Sequence, residues 1–150
     1  FLNRFIPGKS TSFEFTFVEM ATKAQMEIHG LESVQDQLSI FDQISYSEQA
    51  KDVKDMLHNE QKYLDLYDDM IELYKLEDMN ALYHIVAEGM DGENEAALLL
   101  DKRNQAWIAE ISTLAKAKPT FFGVGAAHLG GEQGVIELLK KAGYSITPVE

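Results

Sequence analysis

Gly125 and His128 belong to a Gly-Ala-Ala-His segment whose residue types suit a ligand-binding turn. The segment follows a short apolar run, residues 119–124, and precedes a predicted helix. In open α/β sheets, ligands bind beyond the carboxyl ends of strands, where loop backbone and helix N-termini converge. Small residues there let a ligand approach the main chain, and His128 can serve as a metal ligand or as an acid–base group. The alternative is a tight turn that carries an ordinary loop histidine.

Glu32 has the same kind of position, directly after an apolar segment over residues 28–31. If that segment is a strand, alternation places Glu32 on the same side as Ile28 and turns His29 to the other side. Glu32 is therefore a better candidate than His29 for a site at the rim of a sheet. The alternative role is a carboxylate at the N-terminus of the next helix, where the helix dipole stabilises it.

Arg103 and Asn104 are polar residues within the apolar stripe of a predicted helix that also contains Leu100 and Trp107. Buried polar groups without partners are destabilising, so both side chains require hydrogen-bond partners. A carboxylate such as Glu32, or an anionic ligand, would satisfy the Arg103 guanidinium with two parallel hydrogen bonds. The alternative is a purely structural ion pair between this helix and a sheet.

The other polar candidates indicate no chemistry of their own. His58 and His84 lie on predicted helices without a carboxylate at metal-ligand spacing, which favours surface positions. Ser112 has no histidine nearby and the chain contains no G-x-S-x-G motif, so a serine hydrolase is not indicated. The acidic residues over 65–78 are predicted to form a solvated helix face.

Helices are the main elements that would position these residues. Three motifs of the capping-box type predict helix starts; they are Thr11-x-x-Glu14, Ser33-x-x-Asp36 and Ser45-x-x-Glu48. Apolar residues recur at helical spacing throughout residues 48–88, and again over residues 93–116.

Three short apolar segments predict strands, over residues 28–31, 119–124 and 144–149. The last two flank a predicted helix at 132–141, so residues 119–149 read as a βαβ unit. We therefore predict the α/β (α+β) class, with a small, mainly parallel sheet and a large helical insert over about residues 45–116. Residues 1–150 are expected to form a single domain.

Composition excludes several classes of protein. The 150 residues include 25 Asp and Glu but only 13 Lys and Arg, which gives a formal net charge of −12. Such a surface repels phosphate backbones, which excludes nucleic-acid binding through a basic patch. The absence of cysteine excludes disulfides, thiolate zinc sites and a cysteine nucleophile. No apolar run reaches the roughly 18 residues of a membrane span. The first residue is Phe1, so we expect the chain to be cut from something longer.

Three motifs follow one another along the chain: Gly-Leu-Glu-Ser at residues 30–33, Arg103-Asn104-x-x-Trp107, and a glycine-rich block at residues 122–134 that contains a G-x-x-H motif. This ordered series resembles the TraB/PrgY/GumN family. The second motif is similar to that family's R-N-x-x-W helix, and the third, the most specific, is similar to its C-terminal G-x-x-H signature. The resemblance spans roughly residues 13–150.

What the resemblance implies is a site built from two G-x-x-H motifs, a glutamate and an arginine, with a divalent metal where activity is established. Glu32, Arg103, Asn104 and His128 match the family pattern residue by residue. The chain contains one G-x-x-H, whereas the family's other copy lies near its N-terminus. The resemblance therefore implies the C-terminal portion of such a protein, with the N-terminal part of the fold and of the site missing.

Two functional hypotheses follow from the resemblance. In the first, the chain is part of a metal-dependent, peptidase-like hydrolase and is inactive alone. Its catalytic residues are Glu32, Arg103 and His128, with Asn104 and Gly125 in binding roles. His128 and Glu32 would help to hold zinc, manganese or cobalt, and residues upstream of the chain would complete the site.

The second hypothesis is a non-catalytic, PrgY-like module that binds or sequesters a peptide. The long acidic helical region, with its Met and Tyr face, would then form a groove or the surface of a homo-dimer. A peptide or protein partner is expected in either case. The resemblance to GumN-like proteins also implies export to a periplasmic or other extracytoplasmic compartment.

Overall fold

The computed structural model describes residues 11–89 and 93–149. Its chain divides into two compact units, Phe1–Leu31 and Glu32–Glu150. In the first unit, helix α1 spans Phe13–Lys23 and contains no buried residue. Its N-cap is Ser12, whose hydroxyl accepts a hydrogen bond from the Phe15 amide, so the predicted cap at Thr11 is one residue too early.

The first part of the second unit consists of four successive helices: α2 (Val34–Phe41), α3 (Tyr46–His58), α4 (Glu60–Lys75) and α5 (Met79–Glu88). Capping boxes at Ser33 and Ser45 start α2 and α3, which confirms both predictions. In each box the serine hydroxyl accepts from a main-chain amide while the acidic partner accepts from the serine amide.

The predicted helical run over residues 48–88 is interrupted twice. Asn59 leaves the helical region at φ −120°, and its side chain donates to the Asp55 carbonyl, a local bond that competes with helix continuation. Glu77 adopts a left-handed conformation at φ 57°, and Asp78 then caps α5 by accepting from the Ala81 amide. Apolar periodicity is preserved across both breaks, which is why it predicts one continuous helix.

The second part of the unit contains the elements that carry the candidate site. Helix α6 (Glu93–Ala96) leads through a π-helical turn (Ala97–Asp101) into α7 (Lys102–Ala117). A short 3₁₀ turn at Ala126–His128 is followed by α8 (Val135–Lys141). The buried hydrophobic side chains among the described residues are Ile40, Leu82, Leu100, Trp107, Ile111 and Val135.

The prediction of an α/β fold with a small parallel sheet is wrong: the part of the chain that the structure describes is all-helical and contains no strand. Residues 28–31, 119–124 and 144–149 lack regular structure, and only the helix of the predicted βαβ unit is present. Alternating or continuous apolar residues favour extended backbone, but a strand also needs a neighbour to pair its amides and carbonyls. Phe121 and Ile146 remain 68% and 38% exposed, so these segments are not covered as a buried sheet would be.

None of the described helices combines the length and the apolar character that a membrane span requires.

Candidate functional site

Four polar residues predicted from the sequence meet in the second unit. Glu32 directly precedes the N-cap of α2, Arg103 and Asn104 lie in the first turn of α7, and His128 ends the 3₁₀ turn. We call Glu32, Arg103, Asn104 and His128 the polar network. Its members come from three separate segments, and long-range hydrogen bonds join them.

The ion pair of Glu32 and Arg103 is bidentate. Arg103 Nη2 donates to Glu32 Oε1 at 2.5 Å, and Arg103 Nε donates to Glu32 Oε2 at 3.1 Å. Trp107 adds a third donor, since its indole Nε1–H lies 3.2 Å from Oε2. The hydrogen bond from Arg103 is the main cause that lowers the pKa of Glu32, and partial burial opposes it. Glu32 is thus a carboxylate at neutral pH and the partner that Arg103 requires.

The remaining nitrogen of Arg103 joins the ion pair to the histidine. Arg103 Nη1 lies 2.9 Å from the Leu99 carbonyl and 3.3 Å from His128 Nε2. Leu99 belongs to the π-helical turn, and such turns occur frequently at functional sites. Because a guanidinium can only donate, His128 Nε2 must accept with its lone pair.

The other ring nitrogen of His128 is bonded to Asn104. His128 Nδ1 lies 2.7 Å from Asn104 Oδ1, and Asn104 Nδ2 donates to the Gln133 carbonyl at 2.9 Å. Since a carbonyl only accepts, the amide NH₂ must face Gln133 and the amide oxygen must face His128. His128 Nδ1 therefore carries the proton, and the ring is the neutral Nδ1–H tautomer.

Burial keeps His128 neutral. The ring is buried, and desolvation together with the positive charge of Arg103 lowers its pKa from 6.5 to about 4, while Glu32 acts in the opposite direction. The Trp107 ring lies 4.6 Å from the imidazole between ring centroids, and the Arg103 guanidinium lies 5.1 Å from the Trp107 centroid. Trp107 thus shields both groups from water.

Gly125 starts the turn that presents His128. Its carbonyl accepts from the His128 amide at 2.9 Å, and a Cβ atom at this position would lie 3.6 Å from His128 Cδ2. That distance is an ordinary contact, so the turn tolerates a small side chain here. A binding role for Gly125 stays a prediction, whereas its role in the turn is observed.

The other histidines that the sequence analysis considered are not members of the polar network. His58 and His84 are exposed on α3 and α5, as the sequence predicts. His29 belongs to the first unit, where its Nε2 is 3.5 Å from Glu27.

Two main-chain carbonyls that bond to the polar network, those of Leu99 and Gln133, could not be identified from the sequence. Every residue has such a carbonyl, and only the folded structure shows which ones accept these bonds.

The polar network contains donor groups of the types that bind a divalent metal, but too few of them to hold one. Glu32 offers a carboxylate, and His128 offers an imidazole whose other nitrogen is hydrogen-bonded, as is usual for metal-ligating histidines. Arg103 now contacts both Glu32 oxygens and His128 Nε2. Among the described residues, no group of three His, Cys, Asp or Glu is placed to hold a metal ion. A metal at these two residues would therefore need further ligands and a displaced guanidinium.

Fold and site together define a helical protein with a buried neutral histidine linked to an arginine–glutamate pair. A comparison with protein-family models matches residues 6–148 to the TraB/PrgY/gumN family. The match covers almost the whole chain, so the chain belongs to this family, and the resemblance seen in its motifs is confirmed. No curated protein and no solved structure gives a significant match.

Proposed function

We propose that the polar network is part of the active site of a metal-dependent, peptidase-like hydrolase. Glu32 and His128 would be two ligands of zinc, manganese or cobalt, and the remaining ligands would come from outside the described residues. The observation that carries the proposal is the state of His128, whose proton is held on Nδ1 by Asn104 while the lone pair of Nε2 accepts from Arg103, the residue that also binds Glu32. A metal ligand needs this neutral form with a lone pair on the second nitrogen, which a metal would take over from Arg103.

Each residue of the polar network has a distinct part in the proposed reaction. A bound metal would supply a water of lowered pKa, so no serine or cysteine nucleophile is needed. His128 has no proton to lose on Nε2 at neutral pH, because its pKa is about 4 and its proton lies on Nδ1. Arg103, once released from His128, would orient Glu32 or bind a developing oxyanion.

The test is titration calorimetry of the protein as its gene encodes it, with zinc, manganese and cobalt. We expect stoichiometric binding that weakens at least about tenfold in Glu32→Ala and His128→Ala. His58→Ala is the matched control, since it removes an exposed histidine elsewhere and should leave binding unchanged. Equal affinity in the wild type and in His128→Ala would contradict the proposal, as would the absence of binding by the wild type.

Arg103→Gln sharpens this test because it should raise the metal affinity, whereas Glu32→Ala and His128→Ala should lower it. The guanidinium contacts the same three atoms that the metal would use, and its positive charge repels a cation. We therefore expect Arg103→Gln to bind the metal more tightly than the wild type does. Weaker binding in this variant would show that the metal does not compete with Arg103 for Glu32 and His128.

The exposed acidic face of α4 favours a second candidate function, capture of a cationic peptide without catalysis. Asp65, Asp68 and Asp69 are all exposed on this helix, as predicted for a solvated face. Such a face attracts positive charge over a distance of about one Debye length, roughly 8 Å at physiological salt. A variant with all three aspartates changed to lysine should lose binding of a basic peptide in a fluorescence-anisotropy titration. Retention of that binding would count against this function.

A further inference from the structure

A tight glycine turn lies against the N-terminus of α5. In this turn, residues 129–134, a Cβ on Gly130 would lie 1.9 Å from the Met79 carbonyl oxygen. A Cβ on Gly134 would lie 2.2 Å from the Gly130 carbonyl oxygen. Gly131 has φ +79°, a left-handed conformation that favours glycine. These close approaches restrict the backbone of the turn to a narrow range of conformations.

Several hydrogen bonds hold the turn, among them those from Lys141 to the Glu132 carbonyl and from Gln105 to Gln133 Oε1, and two involve Gly131. The Gly134 amide donates to the Gly131 carbonyl at 3.0 Å, and the Gly131 amide donates to Asn80 Oδ1 at 2.9 Å. Asn80 therefore joins α5 to the turn by a hydrogen bond, and the Tyr83 ring of the same helix packs against Gly131. Helix α5 is itself joined to the start of α7, since the Tyr83 hydroxyl donates to Asp101 Oδ1 at 3.0 Å.

The backbone conformation of the turn determines the direction of the Gln133 carbonyl. That carbonyl accepts from Asn104 Nδ2, and Asn104 is completely buried, so its amide has no water with which to exchange partners. If the carbonyl moved away, a rotated Asn104 amide could present its NH₂ to His128 instead of its oxygen. His128 Nδ1 would then have to accept, and the proton would lie on Nε2, where it would face Arg103 Nη1, a donor 3.3 Å away, and break that hydrogen bond.

We propose that Asn80 is a positioning residue that acts together with Arg103 to set the tautomer of His128: Arg103 acts at Nε2, and Asn80 acts at Nδ1 through the glycine turn, the Gln133 carbonyl and Asn104. Asn80 lies outside the polar network and touches none of its members in the bonds described above. This inference deepens the proposed function, because it explains why Nε2 is the ring nitrogen that has the lone pair. It rests on that function only for its biological meaning, since the tautomer can be measured without a metal.

The experiment is two-bond ¹H–¹⁵N NMR of the His128 ring at pH 7 in the presence of a chelator. The two ring nitrogens differ in ¹⁵N shift according to which one carries the proton. We expect the wild type to show the Nδ1–H tautomer. Asn80→Ala should shift a measurable fraction of His128 to the Nε2–H tautomer, or into exchange between the two. Because Asn80 is exposed, this variant leaves no buried cavity, and backbone amide spectra will report its folding.

Two further variants make the result specific. Asn80→Asp keeps an oxygen acceptor for the Gly131 amide and should therefore retain the Nδ1–H tautomer of the wild type. Asn59→Ala removes another exposed asparagine with a side-chain-to-backbone bond and should change nothing at His128. An Nε2–H tautomer in the wild type, or an unchanged tautomer in Asn80→Ala, would overturn the inference. Neither result depends on whether Glu32 and His128 bind a metal, so failure here is distinct from failure of the proposed function.

Discussion

Two regions of the second unit are stabilised in contrasting ways. Helices α3 and α4 contain no buried residue, and their described polar contacts are mostly local. Such contacts include two ion pairs: Lys51 Nζ lies 3.1 Å from Asp55 Oδ2, and Lys75 Nζ lies 2.7 Å from Glu72 Oε1. Helix α7, by contrast, buries Asn104, Trp107 and Ile111. Its polar bonds reach partners 71 positions away at Glu32 and 24 positions away at His128.

The contrast shows which part of this protein can tolerate change. Local bonds on an exposed helix contribute little individually, because water competes for every partner. In the buried network each partner depends on the others, since removal of one leaves a desolvated polar group unpaired. We therefore expect substitutions around α7 to have large, long-range effects and substitutions in α3 and α4 to have small, local ones.

Trp107→Ala should have the largest effect. Trp107 is 4% exposed and donates to Glu32, so its loss leaves a cavity and removes a hydrogen bond. We expect the free energy of unfolding to fall by about 3–5 kcal/mol, measured by urea denaturation. Tyr46→Ala is the matched aromatic control in α3, where the side chain is 84% exposed, and should change stability by no more than about 0.5 kcal/mol. Comparable losses in the two variants would remove the contrast between the regions.

Acid should destabilise the α7 region through His128. The pKa of His128 is lowered from 6.5 to about 4 on folding, so between these values the unfolded chain binds a proton that the folded chain does not. The free energy of unfolding should therefore fall as the pH decreases from 6.5 to about 4, by roughly 3 kcal/mol in total. Glu32 acts in the same direction below about pH 4.5, because folding lowers the pKa of this carboxyl from its ordinary value of 4.5 as well.

This pH dependence is measured by urea denaturation across pH 4–7 with a chelator present. His128→Gln should have a shallower slope than the wild type, whereas His58→Gln, which changes an exposed histidine on α3, should retain the wild-type slope. Equal slopes in His128→Gln and the wild type would mean that His128 does not account for the loss of stability in acid.

Ser45→Ala should have the smallest effect. Ser45 accepts from the Glu48 amide at the N-terminus of α3, and removal of an N-cap hydroxyl costs about 1 kcal/mol. The loss should be confined to α3, which amide hydrogen exchange can resolve as faster exchange in the first turn of that helix. Faster exchange at α7 in this variant would show that the two regions are coupled more tightly than their contacts indicate.

Part of the fold was predictable from the sequence, and the reasons are local. The capping boxes at Ser33 and Ser45 satisfy main-chain amides with side chains three residues away, so the motif contains the whole interaction. The sheet was not predictable in the same way. Residues 119–124 have the composition of a buried strand, but pairing depends on a neighbour that composition cannot specify.

The candidate site likewise has features that the sequence predicts and features that depend on distant segments. The sequence indicates that Arg103 and Asn104 need partners, because both lie in an apolar stripe that also contains Trp107. It leaves open whether Glu32 or a ligand satisfies Arg103, and it offers no sign that the Gln133 carbonyl holds Asn104. Those assignments depend on bonds between residues 71 and 29 positions apart, which exist only once the chain has folded.

The amino-acid sequence alone thus accounts for the helix starts at Ser33 and Ser45, the acidic surface and the residue types of the polar network. Each of these follows from composition or from interactions within one helical turn. The tertiary structure is responsible for the absence of a sheet in the described residues, the Glu32–Arg103 pairing and the proton on Nδ1 of His128. These depend on burial: once water is excluded, each donor must find an acceptor within the protein, and the packing of distant segments determines which one it finds.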